Sequence, residues 1–163
     1  MDPVSQAALG ASFSQSITKN TNLKIATFLG CVAGMAPDLD VLISSKTDPL
    51  LFLEFHRQFT HSLFFIPIGS LIVTLFFYPF FKRYCSFKAG YLCCFMGYAS
   101  HGLLDACTTY GTQLFWPLSS SRHAWNNISI IDPLFTLPIL IFIALSIYKK
   151  SLLLSKVGVI WAI

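Results

Sequence analysis

The chain has 163 residues, 55% of them hydrophobic and only 11% charged, with a mean hydropathy of +0.66 and a net charge of +4. Soluble domains carry about a quarter charged residues, so this composition excludes an ordinary water-soluble surface and points to a bilayer as solvent. The basic residues sit in short groups between apolar segments, as topology signals do, which excludes a nucleic-acid partner.

In chain order, residues 1–18 lack the basic start and long apolar core of a signal peptide. Ala7 to Ile17 reads as a short helix whose small residues let another helix approach closely. Apolar stretches follow at approximately 24–44, 62–81, 89–107 and 132–148, each able to cross or nearly cross a bilayer. A fifth begins near residue 151 and runs to Ile163. No repeat, low-complexity region or linker divides the chain. The expected fold is all-α, a single membrane-embedded domain over 1–163. It is a polytopic helical bundle of about four to five transmembrane helices plus a short N-terminal helix. The five cysteines form no C-x-x-C pair and read as small buried apolar residues.

The charges sort by helix end. Lys19, Lys24, Lys82, Arg83, Lys88, Lys149, Lys150 and Lys156 fall at one set of ends. Asp2, Asp38, Asp40, Asp48, Glu54, Asp105 and Asp132 fall at the other, with all four histidines. If the positive side is cytoplasmic, the acid and histidine side faces the periplasm or exterior.

Four clusters lie on that outer side. Pro37-Asp38-Leu39-Asp40 closes the first long stretch, and taken alone it reads as a Pro-Asp turn at a helix end. His56-Arg57-Gln58-Phe59-Thr60-His61-Ser62 precedes the second stretch, with Thr60 or Ser62 as N-cap and His61 on the first helical turn. Two histidines five apart across such a junction can converge on one ion; the alternative is an interfacial loop with snorkelling polar side chains. His101 and Asp105, four apart in the third stretch, share a helix face within the apolar slab. The loop from Thr108 to Asp132 carries Trp116 and Trp125 as interfacial anchors and Arg122 and His123 as solvated residues. Asp132-Pro133 caps the next helix. Asn127-Ile128-Ser129 fits a glycosylation sequon, a short and weak signal.

An imidazole and carboxylate set suits zinc, manganese, iron or nickel better than a calcium cage. A divalent ion at such a site acidifies water and polarises an ester or phosphoryl oxygen, and a neighbouring aspartate can take the proton.

Gly34-Met35-Ala36-Pro37-Asp38-Leu39-Asp40, His56-Arg57-Gln58-Phe59-Thr60-His61-Ser62 and His101-Gly102-Leu103-Leu104-Asp105 occur here in a fixed order. With Thr109-Tyr110-Gly111, Phe115-Trp116-Pro117 and Ile131-Asp132-Pro133-Leu134, this order resembles the bacterial membrane-bound metal-dependent hydrolase family, also called LexA-binding, inner-membrane-associated hydrolases. The resemblance runs from the N-terminus to about residue 148. It implies an inner-membrane location and Asp38, Asp40, His56, His61, His101 and Asp105 as metal ligands. The family often begins D-x-x-T-H, whereas this chain has Asp2-Pro3-Val4-Ser5-Gln6, and an amide replaces an imidazole ligand poorly. The order Asp, His, His-x-x-x-Asp on helices is also loosely similar to the all-helical zinc-dependent phospholipases C.

The sequence therefore leads to a metal-dependent hydrolase of a lipid or lipid-linked ester or phosphoester, at the outer face of the bacterial inner membrane. It would hold one or two divalent ions, zinc foremost and manganese or iron as alternatives, with Asp40 as base and Arg57 stabilising developing charge. The rival readings are a non-catalytic metal-binding membrane scaffold and an ion- or proton-coupled transporter. The transporter would need ionisable residues continuing towards the basic side, and the helices offer none there.

Overall fold

The computed structural model describes residues 1–18, 22–43 and 55–163. Lys19, Asp48 and Glu54, which the charge sorting included, lie outside them. The described residues form six α-helices and two 3₁₀ segments, with no β-strand among them beyond one isolated bridge between Thr112 and His123. The described residues are all-helical in their regular structure, as the apolar stretches predict.

Helix α1 spans Pro3–Ser16, capped by Asp2, whose carboxylate accepts from the Val4 and Ser5 amides at 3.1 and 3.0 Å. Helix α2, Leu23–Met35, starts at Asn22, whose side chain accepts from Lys24 N. Pro37 lacks an amide proton and its ring disfavours continued α-helix, and the chain winds on as a 3₁₀ segment over Ala36–Leu42. A second 3₁₀ turn covers Phe59–His61. Helices α3, Ile66–Phe81, and α4, Phe87–Ala106, follow as an antiparallel pair. The loop to Asp132 leads into α5, Pro133–Lys149, and then α6, Leu152–Ala162.

Two local expectations change. The second apolar stretch becomes helix only at Ile66, with Phe65 as an N-cap that makes no side-chain hydrogen bond. Ser62 Oγ instead donates to Phe59 O and accepts from Phe65 N, closing a separate turn. His61 therefore sits in the 3₁₀ turn and not on the helix. At the other boundary, Asp132 accepts from Phe135 N at 3.1 Å with Pro133 in the first helical turn, as the sequence indicates.

The number of membrane crossings is less sharply marked than the apolar stretches suggest. Among the described residues, one continuous segment, Leu23–Leu42, is both long and apolar enough to cross a bilayer; Ile66–Phe81, Pro133–Lys149 and Leu152–Ala162 are shorter apolar helices.

Helix α1 lies at the centre of the bundle, packed against α2, α4, α5 and α6. Its buried residues include Ser5, Gln6, Ser12, Ser14 and Gln15 beside Ala8, Leu9 and Ala11. A buried hydroxyl or amide is tolerated when bonded, and Ser14 Oγ donates to Cys93 O at 2.6 Å while Gln15 Nε2 donates to Thr27 Oγ1 at 2.7 Å. Glycines bring backbones together: a Cβ on Gly97 of α4 would lie 2.6 Å from Gly30 O of α2, and one on Gly34 would lie 2.6 Å from Gln6 O of α1. Small residues at such crossings allow the close helix approach typical of membrane bundles. Two apolar cores result, one around Leu29, Val73 and Tyr98, the other around Leu9, Leu104 and Ile139.

Candidate metal centre

The C-terminal end of α2, the Phe59–His61 turn and the C-terminal end of α4 meet at one end of the bundle. They bring Asp38, His61, His101 and Asp105 together, each with one donor atom within 4.8 Å of all the others. His101 and Asp105 face the same way because they are one helical turn apart. The Phe59–His61 turn is held from below by the 107–131 loop, whose Gln113 N and Thr112 Oγ1 donate to Arg57 O at 3.1 and 3.2 Å.

His61 Nε2 and His101 Nε2 lie 2.9 Å apart. Asp38 Oδ1 is 3.4 Å from the first and 3.2 Å from the second; Asp105 Oδ2 is 3.3 and 3.6 Å from them. Side chains of His61, His101 and Asp105 are fully buried, while that of Asp38 is 28% exposed.

The outer nitrogens decide what these atoms present. His101 Nδ1 is 2.5 Å from Gly34 O, which can only accept, so Nδ1 carries the proton. Thr60 Oγ1 donates to Asp40 Oδ2 at 3.0 Å and therefore accepts from His61 Nδ1 at 2.9 Å. With Nδ1 so committed, each imidazole turns its Nε2 inward, towards the other Nε2 and two carboxylate oxygens. Asp105 Oδ2 is buried without a hydrogen-bond partner, while its Oδ1 accepts from Gln6 Nε2 at 2.8 Å and from the Met1 amino group.

Four acceptor atoms so placed form a site that could hold a cation, beside the Arg57 guanidinium that already lies against Asp105. Burial alone would lower the basicity of His61, yet the adjoining Asp105 and Asp38 carboxylates outweigh it and hold that imidazole above its ordinary pKa. A proton on His61 satisfies part of the cluster; a divalent ion engages all four atoms. Ligand atoms about 2.1 Å from a common tetrahedral centre lie about 3.4 Å apart, and the observed separations scatter around that value. Imidazole donating its other nitrogen to a carbonyl or hydroxyl is the usual support of a metal-binding histidine. The donor set fits the implied metal.

Asp40 and His56, also expected as ligands, stand beside this cluster rather than in it. Asp40 accepts from His56 Nδ1 at 2.9 Å, Arg57 N at 3.0 Å and Thr60 Oγ1 at 3.0 Å. Asp38, Asp40 and His56 nonetheless form a second group with donor atoms within 4.8 Å of one another.

Arg57 occupies the left-handed region at φ 61°, unusual for a residue with a side chain. Its amide donates to Asp40, its carbonyl accepts twice from the loop, and its guanidinium Nε lies 3.0 Å from Asp105 Oδ2. That contact is a close charge pair whose N–H is not aimed along it, since neither atom completes a hydrogen bond. The guanidinium also bonds Thr108 Oγ1 and stacks over Tyr110, 4.9 Å from the ring centroid; Arg122 stacks on the same ring at 5.0 Å and donates to His56 O. In the sequence Thr60 stands as a candidate N-cap, and Gly34 and Tyr110 stand only within motifs; the parts they play here depend on which atoms the fold brings near.

A bundle of apolar helices carrying a buried imidazole–carboxylate cluster at one end defines a membrane protein with a candidate metal centre. The chain belongs to the YdjM inner membrane protein family, matched over residues 1–163, which supports an inner-membrane location. It is similar to "Inner membrane protein YbcI" of Escherichia coli (strain K12), 35% identical over 112 residues that cover 63% of this chain and 61% of that protein. It is also similar to "Uncharacterized protein YfhP" of Bacillus subtilis (strain 168), 29% identical over 109 residues covering 66% of this chain and 33% of that one. The matched region thus spans about three-fifths of one relative and a third of the other. No solved structure matches.

Proposed function

We propose that this chain is a multi-pass membrane hydrolase that holds a divalent ion, zinc foremost, among Asp38, His61, His101 and Asp105. Its substrate is a lipid or lipid-linked ester, with a phosphoester favoured, at the periplasmic face of the inner membrane. One observation carries the reading: four acceptor atoms converge at ligand spacing with both imidazole Nδ1 protons already committed elsewhere. An ion bound there supplies a Lewis acid to an ester or phosphoryl oxygen.

The chain's own residues supply the rest. Asp40 fixes the His56 tautomer through Nδ1, and this carboxylate–imidazole pair accepts the proton of the attacking water. Arg57, pinned by its backbone and stacked on Tyr110, places a fixed positive charge beside Asp105, where charge develops on the substrate. The exposed flank of Asp38 is the side on which substrate meets the cluster.

Elemental mass spectrometry of the detergent-purified protein tests this, with His101→Ala alongside. Near-stoichiometric zinc, manganese or iron that disappears in the variant, with turnover of lipid phosphoesters or acyl esters by the loaded protein, is expected. Absence of metal after reconstitution with these ions would sink the reading. Full metal occupancy without turnover of any such lipid would leave a metal-binding scaffold.

A further inference from the structure

An apolar groove of about 410 Å³ lies between α2, with its 3₁₀ extension, and α3. Val32, Met35, Leu39, Ile72, Phe76 and Phe77 line it, with no charged side chain among the described lining residues. Its volume falls within the range of ligand pockets. Leu39 and Ile72 are 62% and 57% exposed, so the groove opens sideways, away from the bundle.

Its position relates it to the metal cluster. Ala36 and Leu39 flank Asp38 in the 3₁₀ segment, where each residue advances about 2 Å, so the head of the groove is level with the one cluster carboxylate that is exposed. From there it follows α3. Ile72 and Phe76 lie six and ten residues beyond Ile66, about 9 and 15 Å along the axis at 1.5 Å per residue. Leu23–Leu42, which forms one wall, is long and apolar enough to cross the bilayer. The groove thus runs from a polar end inward along a membrane-crossing wall, parallel to the direction in which lipid tails lie. A soluble ester would have no use for such a wall, and a bilayer lipid matches both its polarity and its direction.

We propose that this groove seats an acyl chain of a membrane lipid whose polar head reaches Asp38, so that substrate enters the site sideways from the outer leaflet. The inference rests on the hydrolase reading for its substrate and adds where the tail lies. Met35, Leu39, Ile72 and Phe76 then set which tails are accepted, and substitutions there change lipid preference without touching the metal.

The test uses the full chain in vesicles of phosphatidylethanolamine and phosphatidylglycerol containing a trace of phosphatidylglycerol with a diazirine at the acyl terminus. Photolabelled peptides are mapped by mass spectrometry, and metal content is measured on the same samples. Labelling concentrated on the groove peptides, reduced several-fold in Ile72→Trp but not in Leu153→Trp, is expected, with metal unchanged. Leu153 is an exposed residue of α6 outside the groove. Even labelling of exposed apolar positions, unaffected by Ile72→Trp, would show bulk lipid only and overturn the seat while leaving the metal reading intact. Groove labelling in a wild-type protein that binds no metal would uphold the lipid seat and remove the hydrolase reading instead.

Discussion

Asp38 and Asp40, two residues apart on one 3₁₀ turn, serve different networks. Asp38 Oδ1 faces both imidazole Nε2 atoms, whereas Asp40 accepts from His56, the Arg57 amide and Thr60. With three residues per turn, neighbours two apart point to different sides, so one carboxylate can ligate while the other orients. Asp38→Asn is expected to lose most bound metal. Asp40→Asn should retain it with affinity lowered about 10–100-fold, the usual effect of removing a partner behind a ligand. Equal loss in both, measured by competition with a chelating dye, would contradict this division.

Gln6 supports the same site from α1. Its Nε2 donates to Asp105 Oδ1 and steadies the carboxylate whose other oxygen faces the imidazoles. Gln6→Leu should keep the fold, judged by circular dichroism, while weakening metal binding about tenfold. Unchanged affinity would mean that the amide contributes nothing to ligand orientation.

Arg57 balances the buried Asp105 charge, and removing one partner of a buried pair costs about 3–5 kcal/mol. Arg57→Ala in metal-free protein is expected to lower the thermal midpoint strongly. Arg57→Lys should recover only part of it, since an ammonium stacks on Tyr110 less well and lacks the planar fork. Metal should narrow both deficits by supplying charge to Asp105, a difference read from unfolding scans with and without chelator.

A metal ion held at the proposed site would compete with protons at His61. Its raised pKa means that the metal-free fold gains stability from the charged imidazole below its ordinary pKa of about 6.5 and loses that gain as pH rises through the higher folded-state value. Metal requires the neutral ring, so affinity rises over the same span. The difference in thermal midpoint between metal-loaded and metal-free protein should therefore widen from roughly pH 6 to pH 8. A difference that shrinks with pH would count against His61 as a ligand.

Much of this arrangement was legible in the chain. The i, i+4 spacing of His101 and Asp105 and the Asp132-Pro133 cap are local, and local rules govern them. The segregation of acids and histidines from lysines marks which helix ends meet. Four things were not legible. The start of α3 moved to Ile66 because Ser62 closes its own turn first. The split between Asp38 and Asp40 depends on Pro37 shifting the winding from α to 3₁₀. The central place of α1 is invisible to periodicity, because polar side chains such as Ser14 and Gln15 are buried by bonds to other helices rather than turned towards water. Gln6 drew notice only as a missing imidazole, and its bond to Asp105 is a matter of three-dimensional neighbourhood.

The contact of Gly97 with Gly30 works as a fulcrum. α2 and α4 cross closely there, one turn from Gly34 and His101, so a small wedge at the crossing would open a larger gap at the candidate metal centre. A methyl group on Gly97 would lie 2.6 Å from the Gly30 carbonyl oxygen and force the two axes apart. The His101 bond to Gly34 O would stretch first, freeing the ring to turn its lone pair away from its partners. The geometry of the cluster thus depends on two residues with no side chain at all, and drift at that crossing would disperse the donor atoms while every one of them remained in the sequence.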